Sequence, residues 1–152
     1  MAEISTFNID TGEVFIRALP GEDLSGWFLF TYDQSGNGSV PVEADAVDTS
    51  MPYVSDPDDG FIYYRQLLGP LSSPSGQRDA LVLTDDTFSL VDVVGWGKDD
   101  DFDLIGGPGD GIRSVRAMAT TLPGMDHGIL TGHLGRPARH RITLNPYLRP
   151  VL

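Results

Sequence analysis

The stretch Asp79–Gly97, DALVLTDDTFSLVDVVGWG, decides the fold class. Two apolar runs, Ala80–Thr84 and Ser89–Trp96, flank the polar turn Asp85-Asp86-Thr87. Leu90, Asp92 and Val94 fall on one side of the second run, and Val91 and Val93 on the other. A period of two is that of a strand rather than a helix, so the stretch predicts a β-hairpin. Val91, Val93 and one of Leu81 or Val82 are its expected core contribution. No reactive constellation lies within it, so the hairpin speaks for architecture and not for chemistry.

The same patterning extends on both sides. Glu3–Ile9 and Glu13–Leu19 alternate as strands around the turn Asp10-Thr11-Gly12, with Val14, Ile16 and Ala18 on one face and Phe15 and Arg17 on the other. Trp27–Tyr32 (WFLFTY) is apolar on both faces, which predicts a central strand. Residues 33–59 are rich in Asp, Ser, Gly and Pro and predict a surface excursion holding one short strand near Val40–Val42. Gly60–Leu68 returns to strand character, Ile112–Thr121 suits either a strand or a short helical turn, with its β-branched residues favouring the strand, and Leu122–Gly135 reads as loop.

The totals agree with an all-β reading. The 152 residues suffice for one domain with a real core, and 18 Gly and 11 Pro suit many short elements joined by turns. Only Glu3, Glu13, Glu22 and Glu43 are glutamates among 22 acids, and Asp suits turns where Glu suits helix surfaces. The chain has no cysteine, which excludes disulfides, thiolate metal sites and a Cys nucleophile. No basic n-region with an apolar run follows Met1, and no apolar run approaches the length of a membrane helix. A formal charge of -12 disfavours nucleic acid as partner, because phosphates call for cations.

Gly135–Leu152, GRPARHRITLNPYLRPVL, breaks this composition. It carries Arg136, Arg139, Arg141 and Arg149 and no acid, hence +4, which leaves -16 for residues 1–134 (-12 minus +4). Three prolines forbid a continuous helix, and only Arg141–Asn145 is free to pair as a strand. The domain division is therefore a sandwich over 1–134 and a basic extended arm over 135–152. The arm either folds back on its own acidic body or docks on an acidic neighbour.

Candidate chemistry is sparse. Asp99, Asp101, Asp103 and Asp110 imitate the 1, 3, 5 and 12 offsets of a calcium loop, but Leu104 stands where Gly is needed and Asp110 where a bidentate Glu is needed. They form the Ca²⁺ candidate against the simpler reading of a solvated acidic loop; no other cofactor is implied. His127, His133 and His140 have spacings that suit neither a helical nor a strand zinc site. There is no G-x-S-x-G elbow, and GGPGDG at 106–111 lacks the P-loop lysine. Trp27, Trp96, Tyr63 and Tyr64 suit either a sugar platform or, more commonly, a core.

The pieces TGEVFIRAL with PGEDLSGWFLFTYD (11–33), GQRDALVLTDDTFSLVDVVGWG (76–97) and GGPGDGIRS (106–114) resemble, in order and spacing, a lamin-tail-like domain of the bacterial or phage type. The resemblance spans residues 11–116; the arm has no counterpart in it. It implies an immunoglobulin-like β-sandwich. It also implies an adhesion or interaction module of the kind appended to secreted nucleases and surface proteins.

The expectation is an all-β, immunoglobulin-like two-sheet sandwich of about seven to nine strands, non-enzymatic, with long loops and an extended C-terminal arm. Its expected role is that of a structural subunit attaching to a larger assembly, such as a virion decoration (capsid-surface) or cell-surface protein. Contact is expected through Arg136, Arg139, Arg141 and Arg149, with no nucleic-acid partner and no membrane insertion. The alternatives are a carbohydrate- or surface-ligand-binding module, Ca²⁺-dependent or not, and an accessory domain of a secreted nuclease.

Overall fold

The computed structural model describes residues 1–8, 11–35, 38–55, 58–71, 79–96, 101–115, 118–120, 129–131 and 149–151. Apart from a 3-10 turn at Gly107–Gly109, the regular structure described is all strand. The strands are β1 (Glu3–Phe7), β2 (Glu13–Ala18), β3 (Phe28–Ser35), β4 (Gly38–Ala46), β5 (Pro52–Val54), β6 (Ile62–Leu67), β7 (Asp79–Thr84) and β8 (Leu90–Trp96). Short strands follow at β9 (Asp101–Leu104), β10 (Arg113–Val115), β11 (Met118–Thr120), β12 (Ile129–Thr131) and β13 (Arg149–Pro150). The first sheet runs β11-β12-β1-β2-β6-β5-β13 and the second β10-β9-β4-β3-β7-β8.

The two sheets pack through one main core. Ile4, Phe7, Val14, Ile16 and Ala18 from the first sheet meet Leu29, Leu81, Leu83 and Val94 from the second, and Leu24 and Trp27 close one end. Burying each Leu or Val of this set contributes about 1.5–3 kcal/mol, which is why the apolar alternation dictates the sandwich. Val14, Ile16 and Ala18 point inward together, as their spacing predicts. In β1 the alternation is broken: Ile4 and Phe7, three apart, both enter the core. A bulge between Ile4 and Thr6 in the pairing with β2 makes this possible.

The hairpin at the centre of the sequence forms as expected, with Asp79 opposite Trp96 and Leu83 opposite Asp92. It is buried on both faces. Leu81 and Leu83 face the main core, while Ala80 and Val82 join Tyr32, Val93 and Leu104 in a second cluster. That cluster lies on the outer side of the second sheet, under the turn that follows β9. Val91 is only partly buried, because the bulge between Leu83 and Thr84 leaves it without an opposite residue.

Residues 33–59 differ from the expected excursion. β3 runs on to Ser35, and β4 is a nine-residue strand paired with β3 along its whole length. The acids and proline that suggest a loop are those of a strand edge. β9 pairs β4 only at Gly38 and Ser39, so beyond that point β4 has one free side where Pro41, Glu43 and Asp45 are tolerated. Val42 is the bulged, exposed residue. Ile129–Thr131, expected as loop, pairs with both β11 and β1.

Candidate functional site

The residues singled out in the sequence are only partly brought into view. Asp99, His127, His133, His140, Arg136, Arg139 and Arg141 lie outside the described residues. Asp101 and Asp103 are in β9, and Asp103 is exposed. The Asp110 carboxylate accepts a 2.8 Å hydrogen bond from the Gly106 N–H and so braces its own turn. Among the described residues, no three His, Asp or Glu side chains come together as metal ligands would. Arg149 is exposed in β13, opposite Val54 of β5, and the Val151 N–H donates to the Pro52 carbonyl at 2.8 Å.

The GGPGDG turn is structural. Tyr32, fully buried, sends its hydroxyl outward into it: the hydroxyl donates to the Gly106 carbonyl at 2.8 Å and accepts from the Gly109 N–H at 2.9 Å. Burial raises the Tyr32 pKa above its ordinary value. Gly107 is required here, since it sits at φ 64° and a Cβ on it would stand 2.7 Å from the Tyr32 oxygen. The turn is thus pinned over the second cluster by Tyr32.

A cavity of about 360 Å³ opens at the side of the sandwich between β4 and β6, lined by Asp45, Arg65 and Gln66 among others. Two of its polar side chains are occupied, while one buried Asp45 carboxylate oxygen has no hydrogen-bond partner. Arg65 is bonded to Glu13, and the Gln66 amide holds the Asp48 N–H and carbonyl. It reads as a seam of the fold.

The outer face of the second sheet is different. Pairing of Phe28 with Ala46 and Thr84, of Phe30 with Ala44 and Val82, and of Thr84 with Leu90 places these side chains on one face. None of them is charged, in a chain of net -12. Ala44 and Ala46 are exposed, Leu90 is 40% exposed, and Phe28 and Phe30 are half-buried. Such a face ordinarily alternates polar outward, and a contiguous exposed apolar patch marks an interaction surface.

Phe88 completes the patch from the turn between β7 and β8. The Asp85 N–H donates to the Ser89 carbonyl at 3.1 Å and the Phe88 N–H to the Asp85 carbonyl at 3.1 Å. The Asp85 carboxylate accepts from the Thr87 hydroxyl at 2.7 Å, the Thr87 N–H at 2.8 Å and the Ser89 N–H at 3.0 Å. This is a three-residue hairpin loop whose last residue is left-handed, a place Gly ordinarily fills. Here it is Phe88, at φ 61°, the one non-glycine with positive φ among the described residues.

A left-handed L-residue costs roughly 1–2 kcal/mol. Phe88 stacks on Phe28, with ring centroids 5.4 Å apart and planes at 27°, and meets Phe30 edge-on at 6.3 Å and 71°. Each such pair returns about 0.5–1.5 kcal/mol, so the two contacts together offset the strain, and Phe88 as a residue stays 56% exposed.

Known families, curated proteins and solved structures offer no match to this chain. The site therefore stands on its own geometry. The signal for it lies in the sequence, since WFLFTY is apolar on both faces. Trp27 and Leu29 enter the main core and Tyr32 the second cluster, while Phe28 and Phe30, expected as part of a buried central strand, form the patch.

Proposed function

We propose that this chain is a non-enzymatic attachment subunit that docks on a larger assembly through the outer aromatic face of its second sheet. The single observation carrying this is Phe88: strained backbone, stacked on Phe28, and more than half exposed on a charge-free face. Aromatic anchors of this kind dominate the energetics of protein interfaces. The lamin-tail-like resemblance, with its immunoglobulin-like sandwich, supports the same reading, since those modules serve interaction. A virion-decoration or cell-surface setting fits an acidic, rigid body of this size. A flat sugar platform is less well served. Phe30 is inclined at 49° to Phe28 and 71° to Phe88, so the rings share no common plane.

The test is co-sedimentation of the tagged chain with particles or envelope fractions from its native source, comparing wild type with F88G and F28S. Attachment should fall at least about ten-fold in both variants, the loss expected when an interface anchor is removed. Retention of wild-type attachment by both variants sinks the reading.

A further inference from the structure

We infer that an extended segment of a partner protein adds to the open edge of β4 as a further strand of the second sheet, bringing a lysine or arginine to Asp45. The inference rests on the reading of this chain as an attachment subunit and deepens it by naming the chemistry of the partner.

The edge is open. Among the described residues β9 pairs with β4 only at Gly38 and Ser39, and Val42, Glu43, Ala44 and Ala46 are exposed beyond that point. The Val47 N–H donates to the Trp27 carbonyl at 2.9 Å, toward β3. Along an antiparallel strand such bonds alternate, so the N–H and C=O groups of Ala44 and Ala46 face away from β3, into the open side. A row of this kind is the template on which an extended peptide adds to a sheet.

The inner side of that edge carries a carboxylate short of a donor. Asp45 is opposite Leu29, which enters the main core, so it faces the first sheet and lines the cavity between β4 and β6. Arg65 and Gln66 in that seam are bonded elsewhere, whereas one buried Asp45 oxygen has no hydrogen-bond partner. A buried carboxylate oxygen without a donor is destabilising, and a charged donor relieves it most strongly. Side chains opposite one another on paired strands share a face. A basic residue beside Asp45 on an added strand therefore points into the same opening, where Met51, Leu67 and Leu68 offer apolar surface to its stem.

The next residues of the added strand fall on the outer side, across the small side chains of Ala44 and Ala46 from Phe28 and Phe30. Apolar residues there continue the aromatic face, so the partner segment alternates basic and apolar residues. The same carboxylates turn away a second copy of this chain. Pairing two β4 edges brings the Glu43 and Asp45 side chains of both together, and like charges across paired strands repel.

The experiment is calorimetric titration of the full chain at about 150 mM salt with the blocked peptide Ser-Val-Lys-Val-Lys-Val-Ser, and with the same peptide carrying Gln or Glu in place of Lys. Asp45→Asn and Ala44→Pro are compared with wild type, with melting curves for each. Proline at position 44 removes an N–H on the open side and leaves the β3–β4 bonds intact. The Lys peptide should bind wild type at least about ten-fold more tightly than the Gln peptide, and the Glu peptide should not bind. Asp45→Asn should erase the preference for Lys over Gln, and Ala44→Pro should weaken the Lys peptide at least about ten-fold while staying folded. The Ala44 and Ala46 amides of wild type should exchange more slowly with the Lys peptide bound; should Ala44→Pro fail to fold, this exchange decides in its place. Failure of the Lys peptide to bind overturns the inference, as does equal binding of the Gln peptide, a preference for Lys kept by Asp45→Asn, or unchanged exchange at Ala44 and Ala46. Self-association of wild type that Ala44→Pro abolishes would assign the edge to a second copy and overturn it as well. If the Lys peptide fails to bind while F88G and F28S still lose co-sedimentation, the inference fails and the attachment reading stands. If the peptide binds as described while co-sedimentation ignores Phe28 and Phe88, the reading of the aromatic face fails alone.

Discussion

The Asp92 carboxylate of β8 accepts a 2.8 Å hydrogen bond from the backbone N–H of Ile4 in β1, joining the two sheets through the core. Its other oxygen accepts from the Val93 N–H at 2.9 Å. Ile4 sits at the β1 bulge, where regular pairing with β2 is interrupted, and the carboxylate supplies the acceptor that the ladder does not. Asp92→Ala should therefore leave a buried donor unpaired and cost about 1–3 kcal/mol. Asp92→Asn, which keeps an acceptor, should cost less. Urea unfolding midpoints check both, and equal stability of Asp92→Ala and wild type would show that the bridge is dispensable.

Tyr32→Phe removes both hydroxyl contacts to the turn at 106–109 without changing ring packing. The expected loss is about 1–3 kcal/mol, because the Gly109 N–H is left buried without its acceptor. Amide exchange at Gly109 should quicken more than exchange in β7, since the turn is released before the sheet. Unchanged protection at Gly109 would mean that the turn is held by Leu104 and Ile112 packing alone.

Acid should weaken the fold through its turns. The Asp85 carboxyl is held below its ordinary value by the Thr87 hydroxyl and the Ser89 N–H, and Asp23 and Asp48 by the hydroxyl and N–H of Ser25 and Ser50. A depressed native pKa means stability that is present above the unfolded value of about 3.9 and is lost as pH falls through the lower native values. Denaturation midpoints should thus be flat from neutral pH to about pH 5 and fall below about pH 4. Asp85→Asn, unable to titrate, should flatten part of that fall.

Alkali should act through Tyr63. Burial, and then the Asp59 carboxylate to which its hydroxyl donates, raise its pKa to about 12, against the opposing influence of Arg17. A raised native pKa means stability that is intact below the unfolded value of about 10 and is lost as pH rises toward about 12. Tyr63→Phe should lose that dependence, and guanidinium midpoints between about pH 8 and 11 would show it. A variant as alkali-sensitive as wild type would place the effect elsewhere.

The sandwich was legible because apolar alternation fixes which side of a strand is buried, and β2, β7 and β8 alternate clearly. What escaped the pattern has physical causes. β4 carries the acids and proline of a strand edge, which single-sequence composition does not separate from a loop. β1 buries Ile4 and Phe7 by means of a bulge that period-two reading cannot foresee. The outer aromatic face was hidden for the opposite reason: Phe28 and Phe30 on an otherwise buried strand look like core until pairing shows that Ala44, Ala46 and Leu90 beside them are exposed. Phe88 escaped because a hairpin turn containing Asp85 and Asp86 reads as polar. Nothing in residue order shows that its last position is left-handed.

Val93 and Asp92 put the rule for buried charge to its sharpest test, being adjacent and facing opposite sides of one strand. Asp92 is tolerated in the interior because the Ile4 and Val93 N–H groups meet its carboxylate. Val93 is 4% exposed among Tyr32, Ala80, Val82 and Leu104, where the side chains around it are hydrocarbon apart from the committed Tyr32 hydroxyl. A carboxylate there would have no donor, and an unpaired buried charge costs several kcal/mol against a total stability of about 5–15 kcal/mol. Val93→Asp should consequently abolish cooperative unfolding at neutral pH, with partial recovery near pH 4 as the carboxyl protonates. Val93→Ala, which leaves only a cavity, should stay folded and lose about 1–3 kcal/mol. A soluble Val93→Asp protein with the wild-type melting temperature would show that this face of β8 is not the closed core assigned to it.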